Sequence, residues 1–123
     1  MPQHSAFSSA TDLAALIRSK AVTSEELVES YRARIAAHNP AINAVVYTDW
    51  DNARAQARAR DTHLARGGAC GPLHGVPMTI KEAFDIAGMP STWGLPELVD
   101  NKPSRNAVPV DRLLAAGAVI MGK

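Results

Sequence analysis

Cysteine is almost missing from this sequence: Cys70 stands alone among 123 residues. A single thiol excludes an internal disulfide framework and a cysteine-based metal site. Aromatics are scarce as well, with two each of Phe, Tyr and Trp in a chain that is 46% apolar. Alanine supplies 22 of the apolar residues, so closely packed helices are expected rather than large aromatic clusters. No run approaches the roughly 18 apolar residues of a membrane span. The N-terminus also lacks the basic stretch and apolar run of a secretory signal. Charge of one sign is missing too. The formal net charge is +1, with eight Lys/Arg and seven Asp/Glu through residue 70 and five of each beyond. That balance argues against a nucleic-acid or membrane partner held by charge. A cytoplasmic protein with one real core is the expectation.

What is present in the first half is helix signal. Residues 9–19 predict a helix capped by Ser9, with Leu13, Leu16 and Ile17 on one face. Thr23 and Glu26 form a capping box: the hydroxyl accepts from the Glu26 amide while the carboxylate reaches back. Leu27, Tyr31 and Ile35 then recur every four residues. Pro40 is expected to stop this helix, because the residue before a proline avoids the α region. Residues 43–49 read as a short strand or extended segment. Asp49 caps a third helix over 50–65, which closes at Gly67 and Gly68. Arg54, Arg58, Arg60 and Arg66 decorate it, but Asp51 and Asp61 interrupt the charge, and a solvated face is the favoured reading.

The second half changes period. In "GPLHGVPMTIKEAF" (71–84), Val76, Met78 and Ile80 alternate with Pro77, Thr79 and Lys81, which is strand spacing. Lys81 closes that strand. An irregular stretch, 85–105, leads to a helix over about 107–116, with Asn106 as cap and Gly117 as its left-handed end. "AVIM" (118–121) is apolar throughout, the pattern of a strand buried on both faces. Strand, helical crossover and strand make a βαβ unit with parallel pairing. As the chain stops after such a strand, at least one edge of 118–121 is expected to lie open and the fold to be unfinished.

Three constellations compete for the chemistry. His4, His38, His63 and His74 have no shared helical spacing, and His74 reads as a loop residue bonding to backbone rather than a zinc ligand. "GAVIMGK" (117–123) has the spacing of a phosphate-binding loop without its closing Ser or Thr. Its middle reads as strand, where that loop needs free amides opening a helix. The third is Lys81. Strand ends are where α/β folds place reactive groups, although most lysines at such places are simply solvated.

The run "GPLHGVPMTIKEAFDIAGMPSTWG", followed by "AVPVDRLLAAGAVIMGK", resembles the N-terminal part of the amidase signature family, specifically from Gly71 onward. The resemblance implies an α/β fold: N-terminal helices, then the first strands of a mixed, mainly parallel sheet. Residues 1–123 would be the N-terminal part of a single domain, mainly helical over 1–66 and strand–loop–helix–strand over 71–123. It implies hydrolysis of carboxamides through a serine acyl-enzyme, a small-molecule amide as substrate, and no metal or organic cofactor. Family members use a Ser–cis-Ser–Lys triad, and Lys81 matches its lysine. A serine attacking an amide must lose its proton, and a neutral amine accepts it where an ammonium cannot. The family's Gly/Ser-rich segment, which carries both serines, has no counterpart here. Ser91, Thr92 and Trp93, within "STWG", read as a loop near the site that lines substrate, and nothing marks Ser91 as the nucleophile. Two alternatives stand beside this reading: the A subunit of a tRNA-dependent amidotransferase, and a non-catalytic helical interaction module formed by 1–66. "KEAFDIAGMPSTWG" favours a stand-alone amidase over the amidotransferase component.

Overall fold

The computed structural model describes residues 4–123. Four α-helices, a short 3₁₀ turn and two strands follow in the order α1 (Ala10–Arg18), α2 (Ser24–Ile42), α3 (Trp50–Ala65), β1 (Pro77–Thr79), the 3₁₀ turn (Pro96–Leu98), α4 (Val108–Ala115) and β2 (Val119–Gly122).

Local chemistry sets most helix starts. Ser9 accepts from the Asp12 amide, and both halves of the Thr23–Glu26 box are made. Asp49 accepts from the Asn52 amide. Two expectations need correction. Pro40 does not stop α2, which runs on to Ile42 and ends at Asn43 in the left-handed conformation (φ 47°). The proline lies in the last turn, where few later bonds depend on it. Asn39 also offsets its local restriction: its side-chain amide donates to the Val45 carbonyl and accepts from the Val45 amide. Asn106 does not cap α4 either. Its amide group is taken by Ala87 N and Asp111, and Ala107 holds the cap position without a side-chain bond.

β1 and β2 pair in parallel, Pro77 opposite Val119 and Met78 opposite Ile120, with an irregularity before Thr79 opposite Gly122. β2 is fully buried because its two faces serve two cores. Val119 and Met121 pack with Val28, Ala53 and Ala57, while Ile120 packs with Ile80, Ile86, Met89 and Val110. Ala53 and Ala57, one turn apart on α3, let that helix lie close on α2 and the sheet, which is where the abundant alanine goes. A third cluster joins Leu13, Ile17 and Leu27 to Val76 just before β1. The hydrophobic clusters thus cross between 1–66 and the rest, so the first 66 residues do not form a separate helical module.

The expected open edge on 118–121 is closed at its C-terminal end. Besides β1, β2 has the extended segment 46–49 as backbone neighbour: Asp49 N donates to Met121 O, Val46 N to Lys123 O, and Lys123 N to Tyr47 O. Thr48 forms an antiparallel bridge to Gly122.

The arginines of α3 are not simply solvated. Arg54 pairs with Glu29 and Arg58 with Glu25, clasping α3 to α2, while Arg60 donates to the Leu114 carbonyl. Asp61 accepts from the amides of Ser24 and Glu25, so a residue of α3 helps cap α2. Bonds from Arg54 and then Arg32 hold the Glu29 carboxyl down at about 2. The unfolded chain therefore binds this proton first. The contribution is in place above the ordinary carboxylate range and is lost as pH falls toward about 2. Glu29→Gln should flatten the acid limb of melting temperature against pH, and high salt should shrink the difference. Parallel limbs for the two proteins would show that the clasp contributes nothing.

Candidate active site

β1 delivers its lysine through a buried anchor. Ile80 is buried and its amide donates to the Gly122 carbonyl at 3.0 Å, fixing the exit of the strand on β2. Lys81 follows and is exposed, and the chain turns at once, with Phe84 N donating to Lys81 O. No ion pair among the described residues involves Lys81.

The reason lies in the next residue. Glu82 turns its carboxylate to a different duty, accepting from Thr92 N at 2.6 Å and Trp93 N at 3.1 Å. Trp93 has a left-handed backbone (φ 54°), unfavourable for a bulky residue, and the carboxylate bond helps hold it there. The carboxylate nearest in sequence is thus spent on the 90–93 loop. Phe84, in the lysine turn, and Trp93, in the Glu82-bound loop, are both exposed.

A serine–lysine pair does occur, but with neither Lys81 nor an accessible serine. Lys123 Nζ donates to Ser91 Oγ at 2.7 Å and to Pro90 O at 2.9 Å, with Glu82 at 3.9 Å. Ser91 is 1% exposed, so no substrate carbonyl can reach its hydroxyl. The expectation that Ser91 lines substrate is corrected: it faces inward, and Trp93 is the exposed member of that loop. Burial pushes the Lys123 ammonium below its ordinary value, opposed by the charges of Glu82 and Asp85. In the sequence Lys123 closes both the phosphate-loop spacing and the run that resembles the family, and neither assigns it a role. Its position directly after an all-apolar strand was the available signal that it is buried.

That phosphate-loop pattern has a structural explanation. The amides of Gly117, Ala118, Val119 and Lys123 donate to the carbonyls of Leu114, Leu113, Val76 and Tyr47, leaving them unavailable to phosphate. Gly117 (φ 99°) is glycine because a Cβ would collide with the His74 backbone. His74 is buried and its Nε2 bonds to the Arg60 carbonyl, as a loop histidine should. Among the described residues no three His, Cys, Asp or Glu gather as metal ligands, and no helix is long and apolar enough to cross a membrane.

The family model for amidases matches residues 26–123. The chain belongs to the amidase family. Among relatives of this amidase-family chain, the acylamidase of Rhodococcus erythropolis is 40% identical over 115 residues, covering 94% of this chain and 24% of its own length. The A subunit of the glutamyl-tRNA(Gln) amidotransferase of Acidothermus cellulolyticus is 43% identical over 114 residues, covering 93% and 23%. The solved peptide amidase of Stenotrophomonas maltophilia superposes with a TM-score of 0.89 at 34% identity, covering 96% of this chain and 24% of that one. The chain therefore spans about a quarter of the length of the relatives it matches. Its helices and short parallel sheet are those of amidase signature enzymes.

Proposed function

We propose that these 123 residues are the N-terminal part of a single amidase signature domain, and that the whole protein hydrolyses a small carboxamide to carboxylate and ammonia. Lys81 is the general base of this reading, and the two serines come from chain beyond Lys123. The observation that carries it is the disposition of Glu82. With that carboxylate bound to the Thr92 and Trp93 amides, Lys81 leaves the sheet with no ion pair among the described residues. Its rigid backing, Ile80 on Gly122, gives the fixed position that proton transfer requires.

The reaction runs by serine attack on the amide carbon as its proton passes to the lysine amine, return of that proton to the leaving nitrogen, and hydrolysis of the acyl-enzyme. No metal or organic cofactor enters. Ammonia release from a panel of aliphatic and aromatic amides tests the whole protein. Turnover of simple amides is expected. Activity confined to glutamine would favour the amidotransferase reading. The 123 residues alone should release none above background, because the Gly/Ser-rich segment that carries both serines in the family has no counterpart among them; turnover by them, lost on Ser91→Ala, would place the nucleophile wrongly.

A further inference from the structure

A buried polar cluster lies under the 90–93 loop, not at Lys81. The side chain of Lys123 is fully buried, a rare place for a lysine unless it is paired. Its ammonium group reaches from the end of β2 to Ser91 Oγ, Pro90 O and the Glu82 carboxylate. Each partner is tied again. Glu82 accepts from the Thr92 and Trp93 amides, and Ser91 exchanges backbone bonds with Asn101, accepting from its side chain and donating to its carbonyl. The Lys123 backbone is itself fixed to Tyr47 and Val46. No buried side-chain polar atom among the described residues lacks a partner.

We propose that Lys123 is a positioning residue for the Lys81 site: from beneath, it clamps the Pro90–Trp93 loop and Glu82, fixing the exposed Trp93 beside the turn that carries Lys81. The inference rests on the amidase reading for its effect on turnover, but the clamp itself can be observed without turnover. Remove the ammonium and Ser91 Oγ is left buried without its donor, Pro90 O loses its bond, and Glu82 loses its nearest cation. Such a network is stable only when complete. The Pro90–Trp93 loop then loses its support at Pro90 and Ser91 and can shift, and with it move the Thr92 and Trp93 amides that hold Glu82. Such a shift misplaces groups around the base without removing it. A displacement on the order of an ångström at a catalytic site costs about 10²-fold in rate.

Lys123→Met in the whole protein, which keeps side-chain length, is the primary test, with Ser91→Ala as a gentler second variant. Two measurements are made: kcat and KM for a hydrolysed amide, and the fluorine resonance of Trp93 in protein labelled with 5-fluorotryptophan, assigned through Trp93→Phe. The clamp predicts a shifted or broadened Trp93 signal in both variants and a fall in kcat of about 10–10²-fold for Lys123→Met. If Lys123→Met does not fold, Ser91→Ala decides, with a moved Trp93 signal and a smaller fall in kcat. A lysine that only stabilises the fold would lower the melting temperature, yet leave the Trp93 signal and kcat per folded molecule as in wild type. That outcome overturns the proposal. Absence of turnover in wild type would sink the amidase reading instead, and the fluorine signal would still decide the clamp.

Discussion

Lys81→Met in the whole protein should lower kcat by about 10²–10⁴-fold or more, the usual contribution of a general base. Methionine keeps most of the side-chain volume and, at an exposed position, should leave the fold intact. Lys81→Arg should fail as well, since a guanidinium stays charged and cannot accept the serine proton. The lysine must act as the neutral amine, since an ammonium has no lone pair to take the serine proton. The measurement is kcat and kcat/KM for wild type and both variants, with circular dichroism as the folding control. A well-folded Lys81→Met that retains more than about a tenth of wild-type kcat, far above the expected residue, would leave Lys81 as an ordinary lysine where a strand surfaces.

Gly122→Ala should be the most damaging small change in the scaffold. Gly122 lies where three backbones meet: it pairs with Thr79 of β1, accepts from Ile80 N and bridges Thr48. A Cβ there would fall inside the Tyr47 carbonyl oxygen and lie 3.0 Å from the Thr48 Cα, and neither is the end of a flexible side chain. Something in the sheet must move, at a cost of about 3 kcal/mol or more. Gly88→Ala is the control. Its Cβ would meet nothing within 4 Å, so only the left-handed backbone (φ 79°) opposes the change, worth about 1–2 kcal/mol. Denaturant unfolding of the two variants should separate them by midpoint at similar slope. Equal midpoints would mean that segment 46–49 yields easily and is not a firm part of the sheet. A loss at Gly122 should also carry Lys123 and the loop above it.

Much of this molecule was legible from local chemistry. Caps at Ser9, Thr23 and Asp49 start helices because a side-chain oxygen reaches amides only three residues away, which spacing alone reveals. The apolar run at 118–121 became the doubly buried β2 because a strand with no polar face has no stable exposed side. The lysine was found by family resemblance, and the bare alternation around it indicated only a strand end.

Tertiary structure decided what depends on partners distant in the chain. Pro40 stays helical because Asn39 finds Val45 and Asn43 accepts a left-handed turn, a balance that a propensity rule for one dipeptide does not contain. Asp61 caps a helix 36 residues away, and the arginines of α3 find glutamates on α2, because the alanine face of α3 brings the two helices together. Ser91 and Lys123, separated by 32 positions, form the buried pair beneath the candidate site. Neither residue type is buried by preference. Only the simultaneous presence of Pro90 O, Ser91 Oγ and Glu82 compensates the desolvation of that ammonium, and partners brought together by folding leave no periodic trace in a sequence.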